Sequence, residues 1–204
     1  MSDSPGSSPR IGRTPATTHG ELSHVALTLF LERGFDNTTV EEVAAAAGIS
    51  RRTLFRYFAS KNDLPWGDFD HLLETMRAHL SDIDRRRPLA EALRQAIIDF
   101  NRYPEHELPF HRGRMNLLLN VPSLTAHSTL RYAAWRQVIA EYVGERRGEH
   151  VDALTPQAVA WACLGLCLSA YEQWLAHEDQ DLIVLLESAF STAESVFGAL
   201  SGEP

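Results

Sequence analysis

Apolar residues recur at helical spacing along most of the chain. Between residues 40 and 47, Val40, Val43, Ala44 and Ala47 repeat at i, i+3, i+4 and i+7, which is the spacing of one buried helical face. Similar apolar stripes occur from residue 19 onward, and no segment reads as a β-strand. The pattern predicts an all-α protein of nine helices, with a small N-terminal three-helix unit followed by a larger helical bundle.

Residues 37 to 61 contain the clearest helix boundaries. Thr38 and Thr39 can each cap a helix start, because a glutamate follows each of them three residues later and completes a capping box. Gly48 is placed to end that helix, since glycine enters the left-handed conformation without strain. Ser50 is placed to cap the next helix. We therefore predict two short helices joined by a tight turn.

The second of these helices has an unusual surface. Leu54 and Phe58 lie four residues apart and are expected to face the core with Ile49. The other positions hold three arginines, two aromatic residues and no acid. This composition is typical of a helix that enters the major groove of DNA, where arginine pairs with guanine and apolar groups touch the thymine methyl. The residues on this surface are Arg51, Arg52, Thr53, Phe55, Arg56 and Tyr57.

Residues 22 to 66 closely resemble the N-terminal domain of TetR-type transcriptional regulators. The matching residues are Ala26 to Gly34-Phe35, Thr38-Thr39-Val40, Val43-Ala44, Ala47-Gly48-Ile49-Ser50, Thr53-Leu54-Phe55-Arg56-Tyr57-Phe58 and Ser60-Lys61. A shorter stretch, residues 62–69, resembles the subgroup of that family tied to mycofactocin gene clusters. The resemblance implies a DNA-binding repressor that dimerises through its last two long helices and senses a small molecule between helices 4 to 8.

These features divide the chain into three parts. Residues 1–18 are rich in Ser, Pro, Gly and Thr and are expected to form a disordered arm. That arm either reaches the minor groove through Arg10 and Arg13 or is an idle tail. Residues 19–63 form the predicted helix-turn-helix DNA-binding domain, and residues 64–204 form the predicted ligand-binding and dimerisation domain.

The predicted DNA contacts fall into two groups. Arg51, Arg52 and Phe55, with Arg56 beside them, are expected to contact base edges. Polar side chains around the two helix starts are expected to hold phosphates and fix the register. These side chains are Thr38, Thr39, Ser50, Thr53, Tyr57 and Lys61. In the resembled family, a lysine at the position of Lys61 meets a phosphate.

Pro65 and Gly67 interrupt the start of the fourth helix, where the resembled family is helical. Pro65 would remove the backbone hydrogen bond to the carbonyl of Lys61. Two interpretations remain open: helix 4 starts late, with Asp63 as its cap, or it is kinked at the junction between the two domains.

The last two helices are predicted to form a dimer interface. Small residues recur on helix 8 at steps of four, three and four, which lets another helix approach closely, and helix 9 offers an apolar stripe. Two copies of this pair would form a four-helix interface about a two-fold axis. The predicted interface residues are Ala158, Ala162, Gly165, Ser169, Leu182, Leu186, Ala189, Ala193 and Phe197.

An effector pocket is predicted among helices 4 to 8, where many apolar positions are Met, Trp, Phe or Tyr. The candidates are Leu72, Met76, Ile97, Phe100, Phe110, Met115, Leu118, Trp135, Trp161, Leu164, Leu168 and Tyr171. Arg112, Arg114 and Arg131 lie beside these helices and can receive a phosphate or carboxylate. Together they suggest a long apolar effector with an anionic head, such as a long-chain acyl-CoA.

Charge is distributed unevenly along the 204 residues, whose net charge is −8. Residues 10 to 61 hold seven Arg or Lys and five Asp or Glu, whereas residues 62 to 204 hold twelve and twenty-one. A basic N-terminal domain on an acidic body directs one end of the molecule toward DNA. No unbroken run of about 18 apolar residues and no signal peptide is apparent, so we expect a cytoplasmic protein without a membrane helix.

No residue pattern indicates catalysis, a cofactor or a metal. Cys163 and Cys167 lie on an apolar helix and are expected to be buried thiols, and no histidine lies at a metal-ligand spacing. No nucleophile or nucleotide-binding motif occurs. We therefore predict a regulator rather than an enzyme. The alternatives are a helical enzyme or carrier for acyl-CoA, and a DNA-binding regulator controlled by a protein partner without a small-molecule effector.

Overall fold

A computed structural model describes the backbone of residues 18–200 and the side chains of residues 18–196. This part of the chain contains nine α-helices and two 3-10 helices and no strand, which confirms the all-α prediction. The predicted arm lies outside the described residues except for Thr18. The α-helices are α1 (His19–Arg33), α2 (Val40–Ala46), α3 (Arg51–Tyr57), α4 (Phe69–Asp82), α5 (Leu89–Phe100), α6 (Leu108–Asn120), α7 (Pro122–Arg147), α8 (Leu154–Ala176) and α9 (Leu182–Leu200).

Side-chain caps define the starts of the first three helices. Thr18 begins α1 in a capping box with Glu21, and Thr39 begins α2 in a capping box with Glu42. Ser50 begins α3, where its side chain accepts the backbone N–H of Thr53 at 3.1 Å.

The turn between α2 and α3 contains Gly48 with φ of +66°, a conformation that disfavours any residue with a Cβ. A small apolar core then holds α3 against α1. Leu54 and Phe58 are 1% and 4% exposed, and Phe30 packs edge-on against Phe35 with ring centroids 4.9 Å apart. The predicted helix-turn-helix geometry and the inward side of α3 are therefore confirmed.

The connection to α4 is a 3-10 helix, Lys61–Trp66, which contains Pro65. Gly67 follows with φ of +60°, and α4 begins only at Phe69. Helix 4 therefore starts late, as one of the two interpretations held. The predicted cap is wrong, because the carboxylate of Asp63 is buried and is bound by side chains from α7 instead. The boundary predicted after residue 63 lies inside this 3-10 helix.

The body is built around α7, which packs against α4, α5, α6 and α8. Helix α9 covers α8 and also contacts α5. Asp181 begins α9, since its carboxylate accepts the backbone N–H groups of Ile183 and Val184. Helix α8 begins at Leu154, with Ala153 at the cap position and Thr155 inside the first turn.

Helix α8 is long and apolar enough to cross a membrane, by length and composition alone. It was not identified from the sequence, because only unbroken runs of apolar residues were considered. One side of α8, which includes Ala160, Cys163, Cys167 and Trp174, is buried within the body. The helix is therefore apolar both on the side buried in the body and on its exposed side, which includes Leu154 and Trp161.

Candidate nucleic-acid interface and effector cavity

The outer surface of α3 presents basic and aromatic side chains. Arg51, Arg52, Phe55 and Arg56 are all exposed, and the guanidinium of Arg51 lies 5.3 Å from the ring centroid of Phe55. Because Leu54 and Phe58 fix the opposite side, these four side chains point away from the core. The surface can therefore contact a groove of DNA without any change in the fold.

Arg51 also pairs with Glu41 across the turn, with Nη1 and Oε1 2.9 Å apart and both side chains exposed. Exposed pairs of this kind contribute little stability, so a phosphate or guanine can replace the glutamate at small cost. Arg52 and Arg56 form no ion pair with any residue between 18 and 196.

Two of the predicted phosphate contacts are placed differently. Thr38 is buried, and its hydroxyl donates to the carbonyl of Gly34 at 2.9 Å, so the prediction that it contacts DNA or caps α2 is wrong. Lys61 is half-buried. Its ammonium donates to the carbonyl of Phe35 at 2.5 Å and lies 4.2 Å from the Phe35 ring centroid. Burial lowers the pKa of Lys61. As placed, this lysine joins the 3-10 helix to the core of the N-terminal domain.

The other predicted phosphate contacts remain near the surface. Thr39 and Ser50 are exposed, although each side chain also caps its own helix. Thr53 is half-buried and lies 2.8 Å from the Ser50 hydroxyl. The Tyr57 ring is half-buried and packs edge-on against His19.

A cavity of about 80 Å³ lies among helices α4 to α8. It brings together nine of the predicted effector residues. These are Leu72, Phe100, Arg114, Met115, Leu118, Trp135, Leu164, Leu168 and Tyr171. Seven further residues complete the wall: Trp66, Phe69, Asn101, Tyr103, His111, Tyr132 and Cys167.

Five predicted pocket residues do not line this cavity. Met76 and Ile97 are buried in the core, and Met76 lines an adjoining space. Phe110 packs against His24 of α1, with ring centroids 3.9 Å apart. Arg131 is bound to two carboxylates, and Trp161 is 58% exposed on the other side of α8.

Of the three arginines proposed as anion receptors, only Arg114 reaches the cavity. Arg112 lies over the ring of Trp174, with its guanidinium carbon 4.1 Å from the ring centroid, and donates to the Trp174 carbonyl. Arg114 lies beside the hydroxyl of Tyr103. The wall therefore contains one cationic side chain and no carboxylate.

A chain of hydrogen bonds runs through the polar part of the wall. His111 Nε2 lies 2.8 Å from the Tyr171 hydroxyl, which donates to Asn101 Oδ1 at 2.5 Å. Burial, reinforced by the positive charge of Arg114, lowers the pKa of His111 to about 3. These partners are 60 and 70 residues apart in the sequence, so helical periodicity had no means of finding them.

A buried ion-pair cluster joins the 3-10 helix to α7. Asp63 Oδ1 lies 2.7 Å from Arg131 Nη2 and 2.8 Å from His127 Nε2, and Ser60 donates to Oδ2 at 2.7 Å. Burial raises the pKa of Asp63, but the hydrogen bonds from Ser60, Arg131 and His127 together lower it to about 2. Trp66, which closes the cavity, belongs to the same 3-10 helix. The cluster therefore fixes the junction between the two domains.

The predicted interface residues of α8 are all exposed. Ala158, Ala162, Gly165 and Ser169 lie along one side of the helix, and Trp161 lies among them. The guanidinium of Arg136 from α7 stacks 3.5 Å from the ring centroid of Trp161. This side of α8 is the small-residue surface that the sequence predicts.

The predicted interface residues of α9 are less uniform. Leu182 and Leu186 are buried against their own chain, so the prediction that they form a surface for a second copy is wrong. Ala189 and Ala193 are half-buried, and the side chain of Phe197 lies outside the described residues. The buried leucines belong to the contact of α9 with α8 and α5.

Cys163 and Cys167 are buried free thiols, and burial raises the pKa of Cys163 to about 12. Such a thiol remains protonated and unreactive at neutral pH. Among the described side chains, no group of three His, Cys, Asp or Glu is arranged to hold a metal ion.

Comparison with known proteins places this geometry in one family. Residues 22–64 match the model of the bacterial regulatory proteins of the tetR family, and residues 87–198 match the model of the MftR C-terminal domain. A Mycobacterium tuberculosis protein, provisionally named the mycofactocin biosynthesis transcriptional regulator MftR, is 48% identical over 89% of this chain and 91% of its own length. The HTH-type transcriptional regulator TcmR of Streptomyces glaucescens is 27% identical over 88% of this chain and 82% of its own.

Solved structures agree with the fold. The fatty acid degradation regulator FadR of Bacillus halodurans aligns with a TM-score of 0.61 at 16% identity, over 88% of this chain and 95% of its own. FadR of Thermus thermophilus, in complex with lauroyl-CoA, aligns with a TM-score of 0.57 at 23% identity, over 85% and 91% of the two chains.

The family resemblance of residues 22 to 66 and the mycofactocin-associated resemblance of residues 62 to 69 are both confirmed by these matches. The protein is a transcriptional regulator and not an enzyme. Because residues 22–64 and 87–198 match these two models, the protein belongs to the TetR family of bacterial transcriptional regulators, in the group defined by the MftR C-terminal domain.

Proposed function

We propose that this regulator is a homodimeric repressor that binds a near-palindromic operator through α3 and releases it when a small apolar or amphipathic effector enters the cavity. The observation that supports the DNA-binding part best is the set of exposed side chains on α3: Arg51, Arg52, Phe55 and Arg56. Their helix is held from behind by the buried Leu54 and Phe58. Recognition in this way needs no rearrangement of the domain, and the protein would act in the cytoplasm.

On the operator, the two classes of contact have different roles. Arg51, Arg52 and Phe55 would read base edges, with Arg56 beside them, because the N-terminal part of a recognition helix faces the bases. Thr39, Ser50, Thr53 and Tyr57 would hold phosphates and set the register without selecting a sequence. For Lys61 to join them, its ammonium must leave the Phe35 carbonyl.

Dimerisation is proposed because one recognition helix reads only a half-site. Two copies of α3 separated by one turn of duplex, about 34–36 Å, match a near-palindrome. The exposed small residues of α8 and the adjoining surface of α9 allow two copies to approach closely about a two-fold axis. An exposed apolar side on α8 is otherwise hard to reconcile with an isolated chain in water.

The effector class to test first is a long-chain acyl-CoA. The supporting observations are the largely apolar cavity wall, the cationic Arg114 within it, and the lauroyl-CoA bound by the similarly folded T. thermophilus FadR. The cavity of about 80 Å³ shares Leu72, Phe100 and Tyr103 with an adjoining space of about 280 Å³, and an acyl chain would extend from one into the other. If acyl-CoAs give no thermal shift and no complex in native mass spectrometry, this effector class is ruled out.

Release would proceed through the junction between the domains. Trp66 and Phe69 line the cavity and lie on either side of Gly67 in the sequence. Their rings pack edge-on, with centroids 4.8 Å apart. A ligand that moves these rings moves the start of α4 and the 3-10 helix, and so changes the separation of the two recognition helices. The ligand must prefer the released conformation by about 5.5 kcal/mol to move the population from 1:99 to 99:1.

Arg52→Ala is expected to weaken operator binding by about 1–3 kcal/mol and to relax the choice of base at one position in each half-site. Fluorescence anisotropy with the operator and with a scrambled duplex measures both effects. Arg87→Ala, which removes an exposed arginine from the body, is the matched control and should change neither affinity. Equal losses on the operator and on the scrambled duplex would make Arg52 a phosphate contact.

DNase footprinting upstream of the regulator's own gene, with and without candidate effectors, tests the whole proposal. A protected near-palindrome that is released by a small molecule supports it. Protection that no small molecule removes, together with purification free of any ligand, supports the alternative of a regulator controlled by a protein partner. The absence of any protected promoter at low ionic strength would overturn both.

A further inference from the structure

Two further spaces adjoin the cavity of about 80 Å³. One, of about 280 Å³, lies between α4 and α5, and we call it the α4–α5 space. The other, of about 510 Å³, lies between the starts of α6 and α9, and we call it the α6–α9 space. The first shares Leu72, Phe100 and Tyr103 with the cavity, and the second shares Asn101 and Tyr103 with it. In the described chain, Tyr103 is the one residue that lines all three.

Tyr103 belongs to a connecting segment rather than to a helix. It follows the end of α5 at Phe100 and precedes the 3-10 helix Glu105–Glu107. Its ring is half-buried and stacks on His111, with ring centroids 3.9 Å apart. Connecting segments move more readily than helices, so the ring can turn aside without unfolding a helix. Such a movement joins the cavity to the outer spaces.

The cavity is polar at the end that Tyr103 closes. His111 and Arg114 lie against Tyr103, and hydrogen bonds from Tyr171 connect His111 to Asn101. Most of the remaining wall is apolar. A ligand with an apolar tail and a charged head is therefore accommodated with its tail inside, since burying the charged head in that apolar part would cost free energy. Its head then lies on the outer side of Tyr103.

The charges of the two outer spaces determine which one suits an anionic head. The α6–α9 space is lined by two arginines and three carboxylates: Arg102, Arg112, Glu105, Glu178 and Asp181. Arg112 is already stacked on Trp174 and bonded to its carbonyl. The α4–α5 space has Arg102 and His79 against Asp99 alone. Because excess negative charge repels phosphate groups, the α4–α5 space is the better outlet for a phosphorylated head.

Arg102 lies at the mouth of the α4–α5 space with its charge available to a ligand. Its side chain is 60% exposed, and its Nε lies 3.8 Å from Asp99 Oδ1, which is beyond hydrogen-bond distance. Asp99 is held more closely by other groups, since Gln95 donates to its Oδ2 at 2.9 Å and His79 Nε2 lies 3.3 Å from the same oxygen. Arg102 can therefore turn to a phosphate without leaving a carboxylate unpaired.

We propose that the effector enters tail first between α4 and α5, that it displaces the Tyr103 ring as a gate, and that Arg102 binds its phosphorylated head at the mouth of the α4–α5 space. Leu72 and Phe100, which line both the cavity and this space, form the apolar passage for the chain. The inference rests on the proposed function in taking a long-chain acyl-CoA as the effector. It adds the route, the gate and the site of the head group.

Plugging each outer space in turn tests the route. Thr75 is an exposed residue of α4 that lines the α4–α5 space, and Gln180 is an exposed residue before α9 that lines the other space. In isothermal titration calorimetry of the full-length protein with lauroyl-CoA, Thr75→Trp is expected to weaken binding about tenfold or more, because the indole fills the passage. Gln180→Trp is the matched control and should change the affinity by less than about twofold.

Arg102→Gln tests the site of the head group. It is expected to weaken lauroyl-CoA binding about threefold to tenfold at low ionic strength, and less at high salt, because a charged contact with phosphate is lost. Laurate has the same chain without the phosphates, and its affinity should be nearly unchanged. Arg86→Gln is the control, because Arg86 is 91% exposed and lines none of the three spaces.

Tyr103→Ala tests the gate by kinetics. In stopped-flow experiments, the association and dissociation rate constants of lauroyl-CoA are both expected to rise severalfold, with a smaller change in affinity, since a gate limits passage in both directions. Tyr132→Ala is the control, because Tyr132 lines the cavity but neither outer space, and it should leave the association rate constant unchanged. Tyr103→Leu serves if the alanine variant does not fold.

Four results would overturn the proposal while the wild type still binds lauroyl-CoA: no effect of Thr75→Trp, a larger loss in Gln180→Trp, equal losses of lauroyl-CoA and laurate in Arg102→Gln, or unchanged rate constants in Tyr103→Ala. Operator binding, measured in parallel by anisotropy, tests the proposed function separately. If lauroyl-CoA binds by this route without releasing DNA, the route is supported and the effector role fails. If the wild type binds neither lauroyl-CoA nor laurate, the effector class fails, and this proposal fails with it.

Discussion

Gly165→Arg is expected to leave the chain folded and to abolish both dimerisation and high-affinity operator binding. Gly165 is exposed in the middle of α8, and a Cβ built on it meets no other atom within 4 Å. Replacing a glycine in a helix interior also removes its helix penalty of about 1 kcal/mol relative to alanine. In the single folded chain, a large side chain at this position therefore meets no steric clash and does not destabilise the helix.

A dimer would not accept it. Ala158, Ala162, Gly165 and Ser169 allow a second helix to come close only because their side chains are small. An arginine would hold the helices apart, and the two-fold axis would place two such charges against the same interface. Loss of the second half-site contact lowers the apparent affinity for the operator by roughly 10²-fold or more, since the two half-sites no longer act as one bivalent site.

Multi-angle light scattering gives the mass of the variant, anisotropy gives its affinity for the operator, and circular dichroism gives its melting temperature. Ala90→Arg adds the same charge at an exposed position of α5 and should remain dimeric with unchanged affinity. A Gly165→Arg protein that is still dimeric and still binds tightly would place the interface elsewhere on the molecule.

Features that depend on neighbours in sequence were predicted well. The turn at Gly48 and the cap at Ser50 follow from residue types and apolar spacing within a few positions. The choice between Thr38 and Thr39 shows where local rules stop, because a glutamate follows both at the same distance. The choice is made by packing: Thr38 is buried against the carbonyls of Leu29 and Gly34, which leaves Thr39 as the cap.

Features that depend on distant partners were not predicted. Periodicity marks one side of α9 as apolar, but it does not tell a surface for a second copy from the core, so Leu182 and Leu186 were assigned to the wrong surface. The apolar part of the cavity was largely found, because aromatic residues on facing helices suggest it. Its polar part was missed, because Asn101, His111 and Tyr171 acquire their roles only when α5, α6 and α8 meet.

Asp63→Asn is expected to destabilise the protein by about 2 kcal/mol at pH 7 and to flatten the acid side of its stability profile. The carboxylate of Asp63 is 5% exposed and is bound by Arg131, His127 and Ser60. Its pKa is about 2 in the folded chain against 3.8 for the free side chain. A difference of this size corresponds to about 2 kcal/mol, present above pH 3.8 and lost as the pH falls through 2.

Asparagine keeps the shape of the side chain but removes the charge, so Arg131 loses its best-buried partner. Urea unfolding at a series of pH values measures the effect, and the variant should lose less stability than the wild type between pH 4 and pH 2. Asp70→Asn is the matched control, because Asp70 pairs with the same arginine but is largely exposed, and it should change stability by under about 0.5 kcal/mol. Equal losses in the two variants, or an unchanged pH slope, would mean that burial contributes nothing to this pair.

The same substitution also tests how the cavity communicates with DNA. Asp63 and Trp66 lie on one 3-10 helix, so the contacts that hold this helix to α7 oppose any ligand that displaces Trp66. Weakening those contacts lowers the free energy that a ligand must supply, and Asp63→Asn should release the operator at a lower effector concentration than the wild type. If the variant loses stability but the concentration for release is unchanged, the junction supports the fold without transmitting the signal, and the path to α3 must run through the contact between α1 and α6 instead.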